Sequence, residues 1–147
     1  MVSRNTTHLA GEFLVAGELS RRGYPVSITF GNAKSVDIYA DTQEGTVKID
    51  AKAGRGKSNW PIAESLRINE EVYYIFVYLQ TQKKIESNTP PEYFIVRGKD
   101  ILSNNLIETW KTRHGIRYST LNTPDHKERW DNLPPPPRRA KGENNHE

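Results

Sequence analysis

Ser35-Val36-Asp37-Ile38-Tyr39-Ala40-Asp41, followed by Val47-Lys48-Ile49-Asp50-Ala51-Lys52-Ala53, alternates apolar and polar residues through both halves. That is the two-residue period of half-buried β-strands. Val36, Ile38 and Ala40 share one face of the first strand; Val47, Ile49, Ala51 and Ala53 share one face of the second. Asp37, Asp50 and Lys52 fall on the opposite side. Between the strands, Thr42-Gln43-Glu44-Gly45 has the length of a hairpin loop. With Asp41 opposite Thr46, Asp37 comes opposite Asp50, and Lys52 is their neighbour on the same face. A slip of one residue would turn every apolar side chain into water, so the pattern itself selects this register. Two carboxylates and an ammonium group then share one small patch.

A third carboxylate comes from upstream. Thr7 to Arg22 reads as a helix, with Asn5, Thr6 or Thr7 available to cap its start and Gly23 to end it. Leu9, Phe13, Ala16 and Leu19 form its apolar stripe, and Glu12 projects into that stripe while Glu18 points away. A carboxylate on the packed side of a helix is costly without a partner, and a metal ion or a nearby lysine would serve. Solvent at the stripe's edge is the plainer reading. His8 lies one turn before Glu12 and can reach the same side, or can be an ordinary surface residue at a helix start. The carboxylate-x-Lys triplet recurs at Asp125-His126-Lys127, but it follows Pro124 with no alternating run, so nothing aims its side chains at a shared face.

Glu12 on a first helix, then Asp37, then Asp50-Ala51-Lys52 on a hairpin, resembles the PD-(D/E)-x-K nuclease superfamily. Gly11-Glu12, Gly23-Tyr24-Pro25-Val26 and Val36-Asp37-Ile38 agree with it, and the small members similar to archaeal Holliday-junction resolvases and compact homing endonucleases are the nearest flavour. The resemblance spans about residues 7 to 80. It implies a restriction-endonuclease-like core in which Asp37 and Asp50 hold Mg²⁺, with Mn²⁺ as a substitute, and Glu12 assists the metal. Lys52 would orient or activate the attacking water. Two departures stand out: Asp50 occurs where Glu is more usual, and Val36 rather than Pro precedes Asp37. The chemistry is sound without the family name, because Mg²⁺ takes oxygen ligands and needs only one or two carboxylates beside a phosphate oxygen.

Composition bounds the remainder. The 147 residues suit one ordinary domain, and 35% hydrophobic with 27% charged residues is a globular balance. No apolar run approaches the roughly 20 residues of a membrane span, so no membrane partner is expected. There is no signal-like apolar N-terminal segment, and a cytoplasmic location is the default. The absence of cysteine excludes disulfides and thiolate zinc sites. Net charge is only +3, but Lys48, Lys52, Arg55 and Lys57 crowd the second strand and the loop after it, with Lys34 just before the first. Lys34, Lys48, Arg55 and Lys57 are therefore candidate contacts to DNA phosphates, with Ser58 and Asn59 as hydrogen-bond donors. Trp60 either plugs this loop onto the core or stacks on a base; the core role is preferred.

Val72-Tyr73-Tyr74-Ile75-Phe76-Val77-Tyr78-Leu79 reads as a buried central strand and Tyr93 to Arg97 as its antiparallel neighbour. Pro61 to Asn69 reads as a short turn or helix. Asp100 to His114 reads as an amphipathic helix through Ile101, Leu102, Leu106, Ile107 and Trp110, stopped by Gly115. Residues 1–133 form a single domain, and 134–147, opening with four prolines, form a disordered tail. The expected fold is α/β or α+β, with a mixed sheet of about five strands flanked by helices. The expected function is a metal-dependent DNA endonuclease, working as a homodimer or homotetramer if it cuts both strands. The alternatives are a non-catalytic nucleic-acid-binding or regulatory protein on the same scaffold, and a protein-interaction module.

Overall fold

The computed structural model describes residues 3–30, 36–56, 58–63, 67–81 and 88–139. Helix α1 (Arg4–Arg21) starts at Ser3, which has an extended backbone and whose side chain accepts the Thr6 N–H, and turns out at Gly23 with φ +93°. Its buried face is Thr7, Gly11, Glu12, Val15, Ala16 and Leu19. Phe13, expected in the apolar stripe, is instead 51% exposed. The rotation is set by Gly11: a Cβ there would stand 2.4 Å from the Cβ of Ala53, so helix and sheet touch at this position. Residues at i+4 and i+8, Val15 and Leu19, then face the sheet as well.

A five-stranded mixed sheet in the order β1-β2-β3-β5-β6 lies under α1. Its strands are β1 (Val26–Phe30), β2 (Val36–Thr42), β3 (Gly45–Arg55), β5 (Tyr73–Leu79) and β6 (Glu92–Arg97). Only β3 and β5 pair in parallel; the other neighbours are antiparallel. The fold is therefore α+β. In the β2–β3 hairpin Asp41 pairs with Thr46 and Ile38 with Ile49, the register that the alternating pattern requires. The turn is tighter than the expected four residues. Thr42 pairs with Gly45, and its hydroxyl donates to the Gly45 carbonyl at 2.8 Å while accepting the Glu44 N–H at 3.0 Å.

Alternation along β5 divides the core in two. Tyr73, Ile75, Val77 and Leu79 meet α1 together with Ile38, Ala40 and Ile49. Tyr74 and Phe76 point the other way, onto Phe94, Val96 and a second layer. That layer is a small sheet of β4 (Asn59–Ile62), β8 (Arg113–Arg117) and β7 (Glu108–Trp110). Two short helices complete it, α2 (Gly98–Ser103) and α3 (Tyr118–Leu121). Phe76 and Phe94 are fully buried, and each such side chain contributes about 1.5–3 kcal/mol of burial.

Three expectations need correction. The Asp100–His114 segment is not one helix. It stops at Ser103, with Asn104 as its C-cap, because Asn105 (φ +51°) takes the left-handed geometry that asparagine tolerates. The chain then forms the β7–β8 hairpin around Lys111-Thr112. The Pro61 end of the supposed turn or helix is strand, pairing with Gly115. Third, the polyproline segment is docked rather than free: Leu133 and Pro134 are buried, and the Pro134 carbonyl accepts the Tyr24 hydroxyl at 2.7 Å. The Gln43 N–H donates to the Pro135 carbonyl at 2.9 Å. Residues 140–147 of the expected tail lie outside the described residues. Among the described residues no helix is long and apolar enough to cross a membrane.

Candidate active site

Strand β3 outruns its hairpin partner. Its pairing with β2 ends at Ile38–Ile49, whereas its parallel pairing with β5 continues from Ile49 to Arg55. Along Asp50–Arg55 the β2 side of β3 is therefore an open edge among the described residues. The N-terminal half of α1 crosses above that edge, with Gly11 seated on Ala53. The result is a cleft of about 300 Å³ that wraps around β3. Residues from both faces of the strand line it: Ile49, Ala51 and Ala53 from the α1 side, Lys48, Asp50 and Lys52 from the other.

Glu12, Asp37, Asp50 and Lys52 all line this one cleft. Three elements supply them: α1, β2 and β3. Glu12 is 9% exposed. Asp37 and Asp50 are the first residues beyond the last β2–β3 pair, which puts two carboxylates at the mouth of the edge. Each is neutralised by a lysine. Lys52 Nζ stands 3.2 Å from Asp50 Oδ1, and Lys48 Nζ stands 3.6 Å from Asp37 Oδ1. The Lys52–Asp50 side chains are 20% and 31% exposed, against 45% for both Lys48 and Asp37, so the inner pair is the better shielded from water. An exposed pair such as Lys48–Asp37 contributes about 0–1 kcal/mol to stability. Holding charge in place is the larger consequence.

The carboxylates Glu12, Asp37 and Asp50 are oxygen donors that suit a hard divalent cation. Among the described residues no three carboxylate or imidazole groups come close enough to one another to share an ion. Mg²⁺ is satisfied by one or two carboxylates with phosphate oxygens and waters in its remaining positions, and Asp37 and Asp50 are the pair at hand. No known protein family matches the chain. Neither a curated protein nor a solved structure matches it either.

His8 belongs to the cleft too. Its signal in the sequence was its spacing, four residues before Glu12 on the same helix side. Desolvation holds its pKa below the ordinary imidazole value, and the positive charges of Arg4 and Lys52 add to the effect. Removing the Lys52 charge should therefore raise the His8 pKa. NMR titration of the imidazole protons in Lys52→Ala checks this; an unchanged midpoint would place Lys52 away from His8.

The expected phosphate contacts divide. Lys48 lines the cleft. Arg55 is half-buried and donates from Nη1 to the Gln80 carbonyl at 3.2 Å and from Nε to the Thr7 hydroxyl at 3.4 Å, tying the start of α1 to the end of β3. Ser58 and Asn59 line a second cavity rather than the cleft. Lys34 and Lys57 lie outside the described residues. Trp60 takes the core role: it is 3% exposed, and its Nε1 donates to the Val77 carbonyl at 3.1 Å. The second triplet contributes nothing to the cleft, since Lys127 instead pairs with Glu92 at 2.7 Å.

Proposed function

We propose that the protein is a metal-dependent endonuclease that hydrolyses phosphodiester bonds in duplex or branched DNA. The observation that carries this reading is the convergence of Glu12, Asp37, Asp50 and Lys52 on the cleft at the open edge of β3. Asp37 and Asp50 would hold Mg²⁺, with Glu12 in support. When bound, the ion supplies positive charge for the phosphoryl oxygens and makes a coordinated water more acidic. The chain's own groups do the rest. Lys52, kept at 3.2 Å from Asp50, presents an ammonium group that can donate to a phosphate oxygen or orient the attacking water. Lys48, at the mouth of the cleft, offers a second cation to the incoming backbone. Water's oxygen forms the new P–O bond in line with the one that breaks, and the leaving oxygen ends protonated.

The restriction-endonuclease-like core is part of the same proposal, supported by α1 packed on an antiparallel β1–β2–β3 unit followed by the parallel β5. One chain carries one such cleft among the described residues, so cutting both strands of a duplex calls for a homodimer or homotetramer. Ile28 and Phe30, exposed on the edge strand β1, and Phe13 on α1 are apolar groups that a second copy would cover. DNA as the substrate also fits a cytoplasmic location. Supercoiled plasmid, a four-way junction and single-stranded DNA, each incubated with Mg²⁺, Mn²⁺ or chelator, test the reading. Cleavage of a plasmid or junction with either metal and none in chelator is expected. DNA retention without cleavage under any metal would favour the non-catalytic DNA-binding protein.

A further inference from the structure

A second cavity, of about 710 Å³, opens where Gly56, Ser58 and Asn59 lead into β4. It is continuous in sequence with the cleft: Trp60 and Pro61 line the cleft, and the two residues before them line the cavity. Ala53 on β3 belongs to the first and Gly56, just past the end of that strand, to the second, at most about 10 Å apart along the chain.

Its walls have a particular chemistry. The Arg117 guanidinium lies over the Trp110 ring at 5.1 Å from its centroid, which makes a flat cationic and aromatic surface. Tyr78 and Tyr118, with ring centroids 5.1 Å apart and planes tilted by 55°, form a second, aromatic wall. Between these walls come polar groups able to read an edge: Ser58, Asn59 and the 4%-exposed Gln80. The carboxylates nearby are already engaged. Glu92 accepts from the Tyr118 hydroxyl at 2.9 Å and from Lys127 at 2.7 Å, and Glu108 pairs with Arg117. Burial and the Glu92 carboxylate push the Tyr118 pKa up to about 12, so its hydroxyl stays a donor to Glu92, while its ring packs against Trp60, Tyr78 and Phe94 and holds that wall in place. A polyanion therefore meets no uncompensated negative charge in this cavity among the described residues.

We propose that this cavity receives one unstacked nucleobase of the DNA strand whose backbone lies in the cleft, stacked against the Trp110–Arg117 wall. A planar π-system accepting stacking on both an aromatic ring and a guanidinium is the chemistry of a nucleobase, and such stacking is tolerant of base identity. The volume lies within the range of small-ligand pockets. The inference rests on the nuclease reading for its choice of DNA, and its test is independent of cleavage.

The probe is a short single-stranded oligonucleotide carrying a fluorescent adenine analogue whose emission falls on stacking. It is titrated with the full chain in chelator. Quenching at one position along the strand is expected. Trp110→Ala should weaken binding about tenfold and release the quench, while Trp110→Phe, which keeps a ring, retains both. Ser119 is exposed and lines the cavity, so Ser119→Trp should block the cavity from its rim and have the same effect as Trp110→Ala without touching the core. If wild-type protein quenches at no position, or if Trp110→Ala and Ser119→Trp both bind and quench like wild type, the pocket is not a base site. Cleavage in Mg²⁺ by a protein that fails the quench test would sink this inference and leave the nuclease; quenching without cleavage under any metal would do the reverse.

Discussion

Replacing Asp50 with Asn is expected to lower Mg²⁺-dependent DNA cleavage by at least about a thousandfold, equivalent to about 4 kcal/mol of transition-state stabilisation. DNA binding in chelator should be equal or tighter. Both halves follow from the same geometry. Asp50 lies at the open edge of β3, where it is the carboxylate nearest Lys52, at 3.2 Å. In the proposed mechanism hydrolysis needs its negative charge to hold a cation. Binding of the phosphate backbone is opposed by that charge, and neutralising it frees Lys52 for a phosphate. Asn preserves the shape, so an unfolded variant is not the expected outcome. Single-turnover cleavage of a labelled substrate, with anisotropy in chelator as the binding measure, tests the pair of effects. Asp125→Asn, in the second carboxylate-x-Lys triplet, should change neither. Cleavage that survives Asp50→Asn at saturating metal would mean that the chemistry is performed elsewhere.

The second large effect is on the scaffold. Gly11→Ala should destabilise the fold by about 1–3 kcal/mol, even though alanine is the better helix former by about 1 kcal/mol. A Cβ at position 11 would stand 2.4 Å from the Cβ of Ala53, with no flexible side chain to give way. Either α1 lifts from β3 or the strand bends. Both movements displace Glu12, the next residue along, so cleavage should fall with stability. The compensating change is specific. Ala53→Gly removes the obstructing methyl, and the next atom a Cβ would meet is Ala53 Cα at 3.5 Å, ordinary contact. Ala53→Gly alone should cost about 0.5–1 kcal/mol as glycine in a strand, yet the double variant should be more stable than Gly11→Ala. Urea unfolding of the four proteins gives the coupling. Simple additivity would mean that helix and strand do not touch at this point.

The hairpin that frames the cleft was legible because its period is two and one face is buried. A slip of one residue would take Ile38 and Ile49 out of the core, and in the observed register, with these two paired, Asp37 and Asp50 come next to each other. The run Val72–Leu79 was legible for a similar reason, since an apolar β-branched and aromatic stretch of that length needs cover on both faces. Glu12 could be placed because helical phase is coarse enough to survive a small error. Phe13 was misplaced by the same error, since the close approach at Gly11, which fixes the rotation, is a tertiary contact. The second layer was hidden. Ile101, Leu102, Leu106, Ile107 and Trp110 keep helical spacing, but the Asn104-Asn105 break outweighs it, and the Lys111-Thr112 turn carries none of the glycine that marks tight hairpins. The docking of Pro134 and Pro135 was also out of reach. Prolines lack an N–H, yet their carbonyls accept from Tyr24 and Gln43, partners over ninety residues away in the chain.

The most direct measurement is an anomalous-scattering map from crystals of the full chain soaked in Mn²⁺. A single strong peak at inner-sphere distance from the Asp37 and Asp50 carboxylates, in the cleft beside Glu12 and Lys52, is the predicted result. A fully exchanged crystal with no peak in that cleft, or with manganese only at other acidic residues such as Asp125 or Asp131, would contradict the account.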